Sequence, residues 1–155
     1  MNPLTLDLHL AIVHHLIAFL IFGVIVAELC LLRRGASADD IKRAGLIDMH
    51  YGLFAMLLIA VGFSRAIFAA KGWAYYSVNI FFWAKMAAFA TVGLLSIVPT
   101  VKLNGWRRAV KADPAALPGA AEIAQVRKFI WAELAVFALI PGFAAAMARG
   151  FGMMG

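Results

Sequence analysis

The sequence contains little charge and almost no cysteine. Asp, Glu, Lys and Arg make up 14% of the 155 residues, against 65% hydrophobic residues, a balance far too apolar for a soluble domain of this length. The single cysteine, Cys30, excludes an intrachain disulfide framework and a metal site built from several cysteines of one chain. The opening stretch MNPLTLDLH has no Lys or Arg, which argues against a cleaved signal peptide. These absences predict an integral membrane protein that keeps its first apolar segment.

Apolar runs of membrane-spanning length recur along the chain. A bilayer core needs about 20 apolar residues in a helix, and such runs lie at about 9–32, 48–70, 77–100 and 128–149. The second and third are joined only by the short KGWAYY link, so we expect them to be antiparallel neighbours. The fold class predicted for residues 1–155 is therefore all-α, a single integral membrane four-helix bundle. Pro99 should end the third helix and Pro141-Gly142 should kink the fourth, with 113–124 as a loop that could hold a short surface helix.

The basic residues indicate the direction of the spans. Most of them fall in the first and third connections, namely Arg33, Arg34, Lys42, Arg43, Lys102, Arg107, Arg108, Lys111, Arg127 and Lys128. The positive-inside rule then predicts that both termini lie on the non-cytoplasmic side, in a bacterial inner membrane. The net charge of +6 is accounted for by these loops beside lipid headgroups, so nucleic-acid binding is not expected.

Ionisable residues inside the predicted spans form two layers. His14, His15, Arg65 and Lys85 fall near the outer face, while Glu28, Asp48, His50 and Glu133 fall near the inner face. Each such residue is costly in hydrocarbon and needs a partner or a function. Successive helical positions are rotated by about 100°, so at most one of His14 and His15 can point straight at the bundle axis.

The outer layer has the chemistry of a heme site. Imidazole is a common axial ligand of heme iron, and cationic side chains suit the heme propionates. Structural alternatives are that Arg65 or Lys85 extends to the headgroups, and that the histidines only hydrogen-bond across helices. Glu28 could likewise be clamped by Arg33, Arg34 or Arg127.

The third-helix stretch NIFFWAKMAAFATVGLL, after a first helix bearing His14-His15 and a basic exit, resembles the HemJ-type protoporphyrinogen IX oxidases. The broader group is similar to CopD-like membrane domains and includes small four-helix bacterial membrane proteins of unknown function, and the chain most closely resembles one of these uncharacterised relatives. The resemblance implies that His14 or His15 binds heme and that Lys85 takes part in activity.

The resulting hypothesis is a heme b-binding membrane protein, a candidate oxidoreductase acting on a porphyrin or quinone-like substrate. His14 or His15 would bind the iron, and Arg65 and Lys85 would hold propionates or an acidic substrate as the catalytic residues. Glu28 and Glu133 could relay protons.

Two alternatives stay open. One is a small metal-handling or transport module that uses Glu28, His50 and Glu133, and the other is a structural membrane subunit. In each case the lipid bilayer is the first partner, and we expect a homodimer or a place in a larger membrane complex.

Overall fold

Helices account for nearly all of residues 2–68 and 71–154, the part of the chain that the computed structural model describes. They are α1 (Pro3–Leu31), α2 (Ala38–Phe68), α3 (Gly72–Ser77), α4 (Ile80–Ala112), α5 (Ala120–Phe137) and α6 (Ile140–Ala148). Four helical segments are long and apolar enough to cross a membrane, the last formed by α5 and α6 together. The predicted all-α fold with four membrane-length helices is confirmed.

Side chains near the helix starts satisfy backbone N–H groups that have no partner within the helix. The Asn2 side chain accepts from the amide of Leu4 at the start of α1. Ser37 and Asp40 bond reciprocally to each other's amides at the start of α2, as in a capping box. Asn79 accepts from the amides of Phe81 and Phe82 at the start of α4. Short polar stretches of sequence therefore mark where these helices begin.

The helices extend further than the apolar runs. The 33 residues of α4 measure about 50 Å at 1.5 Å per residue, whereas a bilayer core is about 30 Å thick. The prediction that 113–124 is a loop was wrong for residues 120–124, because α5 already begins at Ala120. Residues 69 and 70 of the predicted second span, and residues 1 and 155 of the predicted domain, lie outside the described residues.

The two prolines in the spans behave differently. Pro99 lies buried inside α4, which continues to Ala112, so the prediction that it ends the third helix was wrong. The turns after it bury Leu103, Trp106 and Val110, and this packing outweighs one lost backbone hydrogen bond. Pro141, in contrast, follows a break between Phe137 and Ile140, which confirms the predicted interruption of the fourth span.

The long helices form a closed ring in which α1 contacts α2, α2 contacts α4, α4 contacts α5 and α5 contacts α1. We call the end with the loops at 32–37 and 113–119 the basic end. The opposite end, with both termini and the link at 71–79, is the terminal end. Which end faces the cytoplasm stays a prediction from the basic residues.

The bundle is packed unevenly along its length. The main apolar core is densest at the basic end, where Leu32, Ile41, Leu103, Val110 and Ile130 are completely buried. At the terminal end a separate small cluster consists of Ala66, Tyr76 and Phe82. Because helices that protrude into water need an apolar core of their own, close packing at the basic end is expected, and it leaves the terminal end more open.

A C-terminal strap, residues 149–154, closes over the link between α3 and α4. Backbone bonds of 2.8 Å join Ile80 N to Gly152 O and Met154 N to Val78 O. The fully buried Asn79 donates from its side chain to Phe151 O. Gly152 has a positive φ of 78°, and a Cβ built there would lie only 2.5 Å from Phe81 Cδ2.

We expect Gly152→Ala to lower the free energy of unfolding by about 1–3 kcal/mol, since both the backbone conformation and the contact with Phe81 disfavour a side chain. Gly105→Ala is the matched control, because Gly105 lies in α4 with open space around it and alanine is the better helix former by about 1 kcal/mol. Thermal unfolding in detergent, followed by circular dichroism, compares the two variants. Equal midpoints for both would contradict this account of the strap.

Candidate functional site

A cavity of about 490 Å³ opens between the helices at the terminal end. Its walls come from α1, α2, α4 and α6, with Tyr76 of α3 and Phe137 at the end of α5. We call it the terminal cavity. Every residue of the predicted outer layer lines it, namely His14, His15, Arg65 and Lys85. The structure therefore brings together the side chains that the sequence placed at one depth.

His14 is the histidine that faces the axis. Its ring is half-buried against Gly62, where a Cβ would come within 3.2 Å of His14 Cε1. The ring lines both the terminal cavity and a smaller apolar cleft beside it, which also contains Lys85. His14 Nδ1 is buried and has no hydrogen-bond partner in the part of the chain that the structure describes, although buried polar atoms are usually satisfied. Among the side chains that line the cavity, this nitrogen gives the strongest indication of a ligand site.

His15 occupies a different environment. It is exposed, and its Nδ1 is 2.6 Å from the carbonyl oxygen of Ala11, one turn earlier. The rings of His14 and His15 meet edge to face with centroids 6.1 Å apart. His15 also borders the terminal cavity, with Nε2 as its second ring nitrogen. The two histidines therefore point in different directions, as the rotation of about 100° between successive helical positions predicts.

The cationic side chains that line the cavity differ in whether they have an anionic partner. Arg65 Nε is 3.1 Å from Asp7 Oδ1, and both side chains are partly buried. Lys85 Nζ lies 5.3 Å from the centre of the Phe82 ring, while no carboxylate among the described residues is within salt-bridge distance of it. Arg65 thus has an anionic partner within the chain, and Lys85 has only the ring.

Three further polar residues of the cavity were missed by sequence reasoning: Asp7, Lys71 and Tyr76. Asp7 precedes the first predicted span, which begins at about residue 9, and Tyr76 belongs to the short link between the second and third spans, yet Tyr76 is buried. Burial raises the pKa of the Tyr76 hydroxyl, so it is a neutral hydrogen-bond donor at neutral pH. The run of aromatic residues in the link was the only signal available, and it did not separate Tyr76 from Tyr75.

Residues of the predicted inner layer lie at the basic end, in two groups. Glu28, Asp48 and Glu133 are buried inside the bundle, with 3%, 4% and 2% exposure. His50 is exposed, and its Nδ1 is 2.9 Å from Leu46 O on its own helix. The predicted grouping of Glu28, His50 and Glu133 was therefore wrong, because His50 points out of the bundle. No set of three His, Cys, Asp or Glu among the described residues could hold a metal ion.

Arg127 does not clamp Glu28. Its guanidinium donates instead to the backbone carbonyls of Leu29 and Leu32, which are unpaired acceptors at the end of α1. Arg33 reaches Asp40 at 4.0 Å. A cation near the end of a helix is also favoured by the helix dipole, so Arg127 has a structural role there.

The comparison with protein families matches residues 6–152 to the model described as "Predicted membrane protein (DUF2214)". The chain belongs to the DUF2214 family. This membership confirms a helical membrane protein, and the family's description names no activity. It shows no link to HemJ-type oxidases or to CopD-like domains. No curated protein and no solved structure matches the chain.

We expect Lys85→Met to stabilise this DUF2214 chain in the ligand-free state. The ammonium group is half-buried among apolar residues without a carboxylate, which is costly in a membrane, whereas Met fills similar space without charge. The gain should be on the order of 1 kcal/mol, measured by thermal unfolding in detergent. Lys128→Met, at an exposed position of α5, should leave the midpoint unchanged. A lower midpoint for Lys85→Met would show that Lys85 stabilises the fold.

Proposed function

We propose that the terminal cavity binds heme b and that the chain is a membrane oxidoreductase acting on a porphyrin or quinone-like substrate. The observation that carries the proposal is His14 Nδ1, a buried imidazole nitrogen that has no hydrogen-bond partner among the described residues, in a cavity also lined by cationic side chains. Arguments from the ligand, the charges and the shape of the cavity support it in turn.

The ligand argument favours His14 over His15. An iron ligand needs a ring nitrogen that is not engaged elsewhere. His14 Nδ1 has no hydrogen-bond partner among the described residues, whereas His15 uses Nδ1 on Ala11 O. Gly62 lets the His14 ring pack closely against α2, because a Cβ there would lie 3.2 Å from His14 Cε1. His15 is the neighbouring candidate at the cavity edge.

The charge argument concerns the two propionates of heme b. Lys85 offers an ammonium group without a carboxylate partner, and Lys71 lies at the cavity edge over the Tyr75 ring. Arg65 is already paired with Asp7, so it would bind a propionate only by sharing or exchanging that partner. A ligand with an apolar body and a negatively charged group would therefore provide the anionic partner that Lys85 lacks.

The shape argument concerns volume and polarity. A cavity of about 490 Å³ falls within the range of about 300–1,000 Å³ typical of cofactor and ligand sites. Phe82, Phe137 and Ile140 supply apolar walls for a macrocycle. Bound heme would provide one-electron chemistry, while the chain holds it and positions the acidic groups of the ligand. The volume and the mixed apolar and cationic lining support an apolar ligand that carries negative charge.

The decisive measurement is visible absorption of the protein purified from heme-replete cells. We expect a Soret band, and we expect His14→Ala to lower the bound heme at least tenfold because it removes the axial ligand. Lys85→Met should weaken hemin binding in titrations without abolishing it. His50→Ala is the matched control, since this histidine is exposed at the other end of the bundle.

No Soret band from cells, together with no spectral change on adding hemin, would end the heme proposal. If His15→Ala alone removes the band, the ligand assignment moves to His15. A loss of folding in His14→Ala is recognised by circular dichroism, and His14→Met then tests whether a different ligand changes the spectrum of the bound heme.

We further propose that the basic end faces the cytoplasm in a bacterial inner membrane, because the positive-inside rule counts basic residues near the spans. With Cys30→Ala as background, Met154→Cys in intact spheroplasts should react with a membrane-impermeant maleimide. Ala116→Cys, in the loop at the basic end, should react only after lysis. The opposite pattern would reverse the orientation. A homodimer or a larger complex stays a prediction.

A further inference from the structure

The carboxyl cluster, which comprises Glu28, Asp48 and Glu133, is contributed by α1, α2 and α5. Each of the three side chains is more than nine-tenths buried. Each also keeps one buried oxygen that has no hydrogen-bond partner within residues 2–68 and 71–154: Glu28 Oε1, Asp48 Oδ2 and Glu133 Oε1. Three helices therefore direct unsatisfied carboxyl oxygens into the same part of the bundle.

The three carboxyl groups are buried between helices that pack against one another. α1, which bears Glu28, contacts both α2, which bears Asp48, and α5, which bears Glu133. In the membrane interior a buried carboxylate costs several kcal/mol even after the protein has relaxed, and neighbouring negative charges add to this cost. The cluster cannot keep all its negative charges without a bound positive species.

Among the described residues, no cation forms an ion pair with the three acids. On α2 the buried titratable neighbour in sequence is Tyr51, and on α4 the hydroxyl of Thr100 donates to Asp48. On α5, Arg127 is bound to the carbonyls of Leu29 and Leu32. Ion pairs among the described residues involve other acids: Asp7, Asp39, Asp40 and Glu122. The compensating positive species must come from outside the chain.

The geometry favours protons over a metal ion. Among the described residues no three acids or imidazoles converge well enough to ligate a metal. Hydroxyl groups instead accompany the acids: Thr100 Oγ1 donates to Asp48 Oδ1 at 2.8 Å, and the buried Tyr51 follows Asp48 by about one turn of α2. Hydroxyls can both donate and accept, so they suit a network that shares protons.

We propose that Glu28, Asp48 and Glu133 form a proton-binding site inside the bundle. The site holds protons at neutral pH and shares them through Thr100 and Tyr51. Glu28 follows His14 by 14 positions on α1, which corresponds to about 21 Å along the helix. The cluster is therefore separate from the terminal cavity, and its proton binding does not depend on whether that cavity holds heme.

Infrared spectroscopy of the purified protein in detergent tests the site directly. A protonated carboxylic acid has a C=O stretch distinct from that of a carboxylate, and the band shifts in ²H₂O. We expect this band at neutral pH in the wild type, with a loss of intensity in Glu28→Gln and in Glu133→Gln. Glu122→Gln is the control, because Glu122 is exposed and paired with Lys102. Absence of the band, or a band unchanged in both cluster variants, would overturn the proposal.

A second measurement uses the wild type and so does not depend on the folding of variants. Dicyclohexylcarbodiimide is apolar and modifies protonated carboxyl groups in membranes. Mass spectrometry should locate the adduct on Glu28 or Glu133 and not on Glu122, with less modification as the pH rises. Sodium or potassium chloride at constant pH should not protect the site. Protection by either salt, beyond that of an equal concentration of choline chloride, would show that the cluster binds a metal cation and would overturn the assignment to protons.

Discussion

The cost of an unpaired polar group in a bilayer governs this structure. Backbone groups are satisfied by four membrane-length helical segments, because helices bond their own amides and carbonyls. At the exposed helix ends, Asn2, Ser37 and Asn79 satisfy the first amides, and Arg127 satisfies carbonyls at the end of α1. Positions where a buried polar atom stays unsatisfied are therefore informative, because such an atom inside a membrane bundle needs a ligand.

Two such places exist, at opposite ends of the bundle, and they differ in charge and in packing. The terminal cavity is open, lined by histidine and cations, and has the volume of a ligand site. The carboxyl cluster is closed and acidic, in the densely packed half of the bundle. We propose that protons occupy the densely packed cluster and that an organic ligand occupies the more open cavity. On this proposal the uneven core keeps two kinds of chemistry apart along one set of helices.

The sequence was informative where a pattern is local. Depth along a helix follows from a constant rise per residue, so His14, Arg65 and Lys85 were correctly placed at one level. The same counting placed His50 beside Glu28 and Glu133, and it was wrong about the direction of His50, because depth does not specify rotation toward a neighbour. Pro99 was misread for a related reason: whether proline ends a helix depends on the packing beyond it, here that of Leu103 and Val110.

By itself, the sequence determined the membrane environment, the helical class and the depth of the polar residues, because hydropathy and helical rise are properties of single segments. Only the tertiary structure decided which side chains meet. The helix packing turns His14 toward Gly62 and His15 outward. It pairs Arg65 with Asp7, which lies 58 positions earlier in the chain. It also directs the Arg127 guanidinium to backbone carbonyls of α1 and not to Glu28. These outcomes depend on how the helices rotate against one another, which is set by the packing of all of them together.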